Sequence, residues 1–180
     1  MRIPFLMPNQ SYLRRLPPEW YRGNAYVHWS ISIEKKKSDW LNPLFHAQWR
    51  ELHLHVLQRY QLVCLAYCLM PDHVHILWKG VHPDSDQRKA MRFFRLHWNA
   101  LLKPFSLQKQ GYDHMLRDKE CDADALSDTM RYIFENPVRA SLVEERHAWA
   151  YAGSLVSGYP DLDARKDFYK FWEIVNRGEG

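Results

Sequence analysis

Residues 24–34, NAYVHWSISIE, alternate in character, with Tyr26, His28, Ser30 and Ser32 set against Val27, Trp29, Ile31 and Ile33. Successive side chains of an extended chain point to opposite faces, so this spacing predicts a half-buried strand. KKKSD at 35–39 predicts a solvated turn, with Ser38 or Asp39 capping the next element. Over 40–60, Leu41, Phe45, Trp49, Leu52 and Val56 recur at steps of four and three, the mark of a helix with one apolar face. QLVCLAYCLM at 61–70 is an unbroken apolar run, suited to a strand buried on both faces. Pro71 and Asp72 interrupt it, and HVHILWKG at 73–80 resumes as a second strand.

The clearest helix lies at 84–103, with Met91, Phe94, Trp98 and Leu101 as its apolar stripe and Pro104 as its stop. Residues 105–118 predict a short strand region. A further helix is expected over 122–136, packing through Leu126, Met130 and Ile133 and ending near Pro137, whose ring disfavours helical backbone before it. A last helix is expected at 164–176, with Phe168, Trp172 and Val175 on one side. Residues 1–22 carry Pro4, Pro8, Pro17 and Pro18 and read as an irregular arm. The order strand, helix, strand, strand, helix, strand, helix predicts an α+β domain: a mostly antiparallel sheet with helices on one or both faces.

Composition narrows this only a little. At 180 residues and 46% hydrophobic, the chain suits one globular domain and excludes a disordered one. Its aromatic fraction of 14% serves a core first and base stacking second. The net charge of +4 permits a polyanionic partner without requiring one. The three cysteines form no CxxC pair, and Cys64 and Cys68 fall in the apolar run. They read as buried thiols in a reducing cytoplasm rather than a disulfide framework. The N-terminal residues hold no long apolar run, so neither a signal peptide nor a membrane span is expected.

Three groups of residues carry candidate chemistry. His73 and His75 are two apart on a strand and share a face. Two imidazoles so placed can share one divalent metal, or can simply be polar residues on a solvated face. Tyr132 and Asn136 are four apart on a helix and share a face other than the apolar one. Asn136 can equally be a helix-terminating residue before Pro137, and Tyr132 a surface-packing ring. Arg88, Arg92, Arg95, Asn99 and Lys103 form a second stripe on the helix at 84–103, with no acid between Arg88 and Lys103. A charged stripe is usually a solvated face; an unmixed positive one also suits DNA phosphates.

Taken together, AYCLMPDHVHIL at 66–77, GYDHMLRDKE at 111–120 and MRYIFENPVRASLV at 130–143 resemble the HUH single-stranded-DNA transposases, and among them the REP-associated tyrosine transposases. The likeness spans roughly residues 24–150, and HAWAYAGS at 147–154 resembles the family's tryptophan-containing segment. It implies a single ferredoxin-like HUH nuclease domain, with residues 1–22 as an arm and 151–180 as an extension. It implies cleavage and joining of hairpin-forming single-stranded DNA through a 5′-phosphotyrosine. Carried over to this chain, His73 and His75 become ligands of Mg2+ or Mn2+, Tyr132 the nucleophile and Asn136 the third ligand. Relatives include helix-swapped dimers and monomers, and a monomer is expected here. Two other readings stay open: a domesticated hairpin-binding protein, and a metal phosphoesterase that uses water and forms no covalent adduct.

Overall fold

A computed structural model describes residues 16–34, 39–109, 111–116 and 121–177. Its strands are β1 (Tyr26–Ser32), β2 (Leu62–Leu69), β3 (His73–Gly80), β4 (Tyr112–Leu116) and β5 (Ala152–Leu155). Its helices are α1 (Pro43–Tyr60), α2 (Gln87–Leu102), α3 (Ala123–Phe134), the one-turn α4 (Asn136–Arg139) and α5 (Phe168–Val175). Most of the expected arm at 1–22 and of the expected turn at 35–39 lies outside the described residues; Pro18–Tyr21 form a short 3-10 turn whose Tyr21 is buried.

The strands form one sheet in the order β4-β1-β3-β2-β5, every neighbouring pair antiparallel. The register decides which side chains share a face. Ser30 opposes His75, His28 opposes both Leu77 and His114, and Cys68 opposes His75. One face therefore carries His28, Ser30, His73, His75, Leu77, Ala66, Cys68 and His114. The other carries Val27, Trp29, Ile31, Val74, Ile76, Trp78 and Asp113. Each face has its own apolar cluster. Trp29, Ile76 and Trp78 pack with Trp49 and Val56 of α1 and Phe94 and Trp98 of α2. Ala66, Cys68 and Leu77 pack with Leu126, Met130 and Ile133 of α3 and Phe171 and Val175 of α5. The result is a three-layer α+β sandwich, as the order of elements predicts.

Local chemistry explains the boundaries and corrects several expectations. Asn42, not Ser38 or Asp39, caps α1: its side chain accepts from the Phe45 amide, and Pro43 takes the first helical position, where a missing N–H costs nothing. The inward face of α1 includes His53 and Leu57 rather than Leu52, which is only partly buried. Asp86 caps α2, whose buried stripe ends at Leu102, while Leu101 faces outward. Asp122 caps α3, and the helix ends at Phe134, just before the Asn136-Pro137 turn. On α5, Phe171 and Val175 are buried, while Phe168 and Trp172 are partly covered.

Residues 151–177 are part of the domain's structure: they supply β5 and α5, which closes the second core. The preceding segment is pinned to the end of β2, where Trp149 Nε1 donates to the Leu69 carbonyl at 2.9 Å and the Leu69 amide to the Tyr151 carbonyl at 2.9 Å. Gly80 closes β3 where chains crowd, for a Cβ there would lie 1.8 Å from the Gly23 carbonyl oxygen. Among the described residues no helix is long and apolar enough to cross a membrane.

Candidate active site

The turn between β2 and β3 aims the histidines. The Met70 amide bonds the His73 carbonyl at 2.8 Å, Trp40 Nε1 donates to the Pro71 carbonyl at 2.7 Å, and the Ile33 amide to the Asp72 carbonyl at 2.9 Å. This braced turn starts β3 at His73 and sends His73 and His75 to the face covered by α3, as strand alternation predicts. His73 is half-buried. His75 is 8% exposed, so it does not stand on a solvated face.

The two rings stand at 87° with their Nε2 atoms 3.2 Å apart. Their far nitrogens are held. Asp72 Oδ1 lies 2.6 Å from His73 Nδ1, and His28 Nε2 lies 3.1 Å from His75 Nδ1. A carboxylate beside Nδ1 keeps the proton on that nitrogen and leaves the His73 Nε2 lone pair directed at the site. Burial holds His75 well below the usual histidine range, and His28, His73 and Arg139 push the same way. Burial and then His114 lower His28 to about 4. Both are thus neutral near pH 7, the form that can bind a metal. Adjacent ligands of an octahedral ion with bonds of about 2.1 Å lie about 3 Å apart, so the observed Nε2 spacing fits one edge of such a sphere. The pair does not make a larger cage: among the described residues no group of three His, Cys, Asp or Glu is placed to hold a metal.

Tyr132 comes to this pair from α3. It is half-buried at the edge of the second core, with its ring centroid 6.3 Å from that of His75. Arg139, on α4, crosses back over it. Its guanidinium carbon is 4.1 Å from the Tyr132 ring centroid, and its Nη2 donates to the Tyr132 carbonyl at 2.9 Å. Asn136 sits at the start of α4, where its Nδ2 donates to the Tyr132 and Ile133 carbonyls, each at 3.1 Å. Its side chain therefore caps the end of α3. His75 thus stands between His73 and Tyr132, and Asn136 is tied to the helix that carries the tyrosine.

The arginine stripe lies on the opposite face of the sheet. Arg88, Arg92 and Arg95 line a cavity of about 440 Å3 bounded by Tyr21, Trp29, Asp86 and Asp113, with Arg22 and Lys89 also in its wall. Arg88 lies over the Tyr21 ring at 5.7 Å, and Tyr21 donates to Asp113. Burial, with Asp113 beside it, raises the Tyr21 phenol to about 12. Arg95 Nη2 donates to the Gln108 and Lys109 carbonyls, which fixes the loop after α2. Asn99, in line with the stripe, accepts from the Leu107 amide at 2.8 Å and serves that loop instead. Lys103 is exposed beyond the end of α2, outside the residues that line the cavity.

Sequence reasoning did not single out His28, Asp72 or Arg139. His28 lies on the polar side of the alternating β1 segment, but its meeting with His75 depends on strand register, which no local pattern shows.

A five-stranded antiparallel sheet with helices on both faces defines an α+β fold, and one face of that sheet carries a histidine pair beside a helical tyrosine. A solved REP-associated tyrosine transposase bound to a REP hairpin shares this fold with a TM-score of 0.64 and 20% identity, over 79% of this chain and 82% of that one. A Haemophilus influenzae protein, assigned by its name provisionally to the REP-associated tyrosine transposases, is 25% identical over 151 residues, or 73% of this chain and 80% of its own. No family model matches the chain. Sequence and fold agree with the resemblance carried by the PDHVH and YIFENPVRA segments: the chain is a relative of the REP-associated tyrosine transposases.

Proposed function

We propose that this chain nicks and rejoins hairpin-forming single-stranded DNA through a covalent tyrosine intermediate, acting as a monomer. Its solved relative was captured on a REP hairpin, which supports a palindromic substrate for this chain as well. The observation that carries the assignment is the meeting of three side chains from two elements: His73 and His75 with Nε2 atoms 3.2 Å apart, and the Tyr132 ring against His75.

His73 and His75 would hold Mg2+ or Mn2+, with Asn136 as the third residue; its Nδ2 is engaged by the helix, so Oδ1 is the atom available as a ligand. The ion would supply positive charge to a non-bridging oxygen of the scissile phosphate, where negative charge grows in the transition state. Tyr132 Oη attacks phosphorus and the bond from phosphorus to the 3′ oxygen breaks. The phenol loses one proton and the 3′ oxygen gains one. One phosphoester replaces another, so the freed 3′ hydroxyl can later reverse the step without ATP. Arg139, stacked on the tyrosine ring, fixes its orientation and adds a cation beside the incoming phosphate. Arg88, Arg92, Arg95 and Lys103 hold DNA phosphates on the far face of the sheet.

Incubation with a 3′-labelled hairpin oligonucleotide and Mn2+ tests the reading: the label should run with the protein through denaturing electrophoresis, and EDTA should abolish the band. A free 5′-phosphate with no adduct would instead make water the nucleophile and the protein a phosphoesterase. Intact DNA bound to the protein under all conditions would leave a hairpin-binding protein alone.

A further inference from the structure

We infer that His28 is a positioning residue for His75, one that can accept from or donate to Nδ1 and so keeps the pair satisfied with or without a metal ion. The inference rests on the assignment of His75 as a ligand. β1 alternation puts His28 on the face that carries the histidine pair, and the β1–β3 register sets it diagonally from His75, within reach of a long side chain. There the two buried rings meet, His28 Nε2 to His75 Nδ1, at 3.1 Å with centroids 5.1 Å apart.

A neutral imidazole has one N–H, and each nitrogen of His75 has a nitrogen neighbour: His28 on one side, His73 on the other. Asp72 keeps the His73 proton on Nδ1, so His73 Nε2 is an acceptor in either case. In one arrangement His28 Nε2–H donates to His75 Nδ1 and His75 Nε2–H donates to His73; every bond is made, and neither Nε2 lone pair is available in common. In the other, His75 Nδ1–H donates to His28 Nε2, and both Nε2 lone pairs of the His73–His75 pair are free for one ion. In this second arrangement His28 carries its own proton on Nδ1, so His28 and His75 each keep one N–H in both and the exchange changes no net charge. A carboxylate in place of His28 could only accept, and an apolar residue could do neither.

The test compares wild type, His28→Phe and His28→Gln, whose amide can also turn to accept or donate. Mn2+ affinity is read by paramagnetic resonance, and the His75 nitrogens by 15N NMR with and without Mg2+. His28→Phe should weaken Mn2+ binding by about 10–100-fold, the usual effect of losing a partner behind a metal ligand. His28→Gln should restore most of it, and hairpin binding without metal should be unchanged. In wild type the His75 proton should lie on Nε2 without metal and on Nδ1 with saturating Mg2+. Unchanged Mn2+ affinity in His28→Phe, with affinity lost in His73→Ala, would overturn the role of His28 and leave the metal site standing. Unchanged affinity in His73→Ala as well would overturn both. If His28→Phe does not fold, the wild-type spectra decide: one His75 tautomer in both conditions refutes the inference.

Discussion

Arg139 lies over the ring of Tyr132, 4.1 Å from its centroid, and at the same time bonds the Tyr132 backbone carbonyl at 2.9 Å. One side chain thus clamps both the ring and the helix end of the proposed nucleophile. Arg139→Ala should lower the cleavage rate by about tenfold, which corresponds to about 1.4 kcal/mol of transition-state stabilisation. Arg139→Lys keeps the charge but loses the planar stack and should recover only part of that rate. Single-turnover cleavage of a hairpin substrate measures it. Equal rates in all three proteins would remove Arg139 from the mechanism.

Tyr132→Phe deletes one oxygen and keeps the ring that packs at the edge of the second core. The variant should fold, melt close to wild type and bind hairpin DNA, yet form no adduct and leave the DNA uncut. His73→Ala should likewise spare hairpin binding and lose cleavage at every Mn2+ concentration. Cleavage at the wild-type rate by Tyr132→Phe, measured with a 5′-labelled substrate, would rule the tyrosine out as nucleophile.

The sequence made the tyrosine legible for a physical reason. Helical periodicity separates Tyr132 from Leu126, Met130 and Ile133, and strand alternation puts His73 beside His75, so local geometry gave the placement of these side chains, while their roles came only from the resemblance carried by the PDHVH and YIFENPVRA segments. The antiparallel sheet with its helices was legible in the same way. What local pattern could not show is whatever long-range pairing creates. β5 is only Ala-Gly-Ser-Leu, a segment of weak strand propensity that extends because β2 offers it an edge. His28 became relevant only through the β1–β3 register. Ser38 and Asp39 are good caps in isolation, but α1 starts later, where Asn42 accepts from the Phe45 amide and Pro43 takes the first helical position.

The arginine stripe leads to a separate expectation. Combining Arg92→Glu with Arg95→Glu should weaken hairpin binding and flatten its dependence on salt, since each lost phosphate contact reduces the counterions released on binding. Filter binding from 50 to 300 mM salt, roughly the range over which such contacts are screened, reads the slope. Arg95 also holds the loop after α2, so Arg92→Glu alone serves as the control that leaves that loop tied. Wild-type affinity at every salt concentration would reduce the stripe to a solvated face.

Acid should destabilise the fold through buried histidines. Burial lowers His53 from 6.5 to about 3 and His46 from 6.5 to about 4. His53 Nε2 accepts the indole N–H of Trp78 at 2.7 Å, a bond that a protonated nitrogen could not accept. Below pH 6.5 the unfolded chain takes up protons at both positions while the folded chain does not, so stability falls as pH falls until the folded values are reached. His53 alone should cost about 2 kcal/mol by pH 5. Urea melts at pH 7 and pH 5 compare the two, and equal midpoints would contradict the burial of a neutral His53.

The sheet is a partition. The residues assigned to cutting DNA occupy one of its faces, and the arginines assigned to holding it occupy the other, each above a separate apolar cluster. Energetic coupling between them must cross the backbone layer of the sheet and the two apolar clusters on either side of it, so the free-energy effects of changes on the two faces should add. Over generations such a molecule can change how tightly it grips a phosphate backbone by drift along α2 and the loop behind it, while the histidines and the tyrosine stay under a selection of their own.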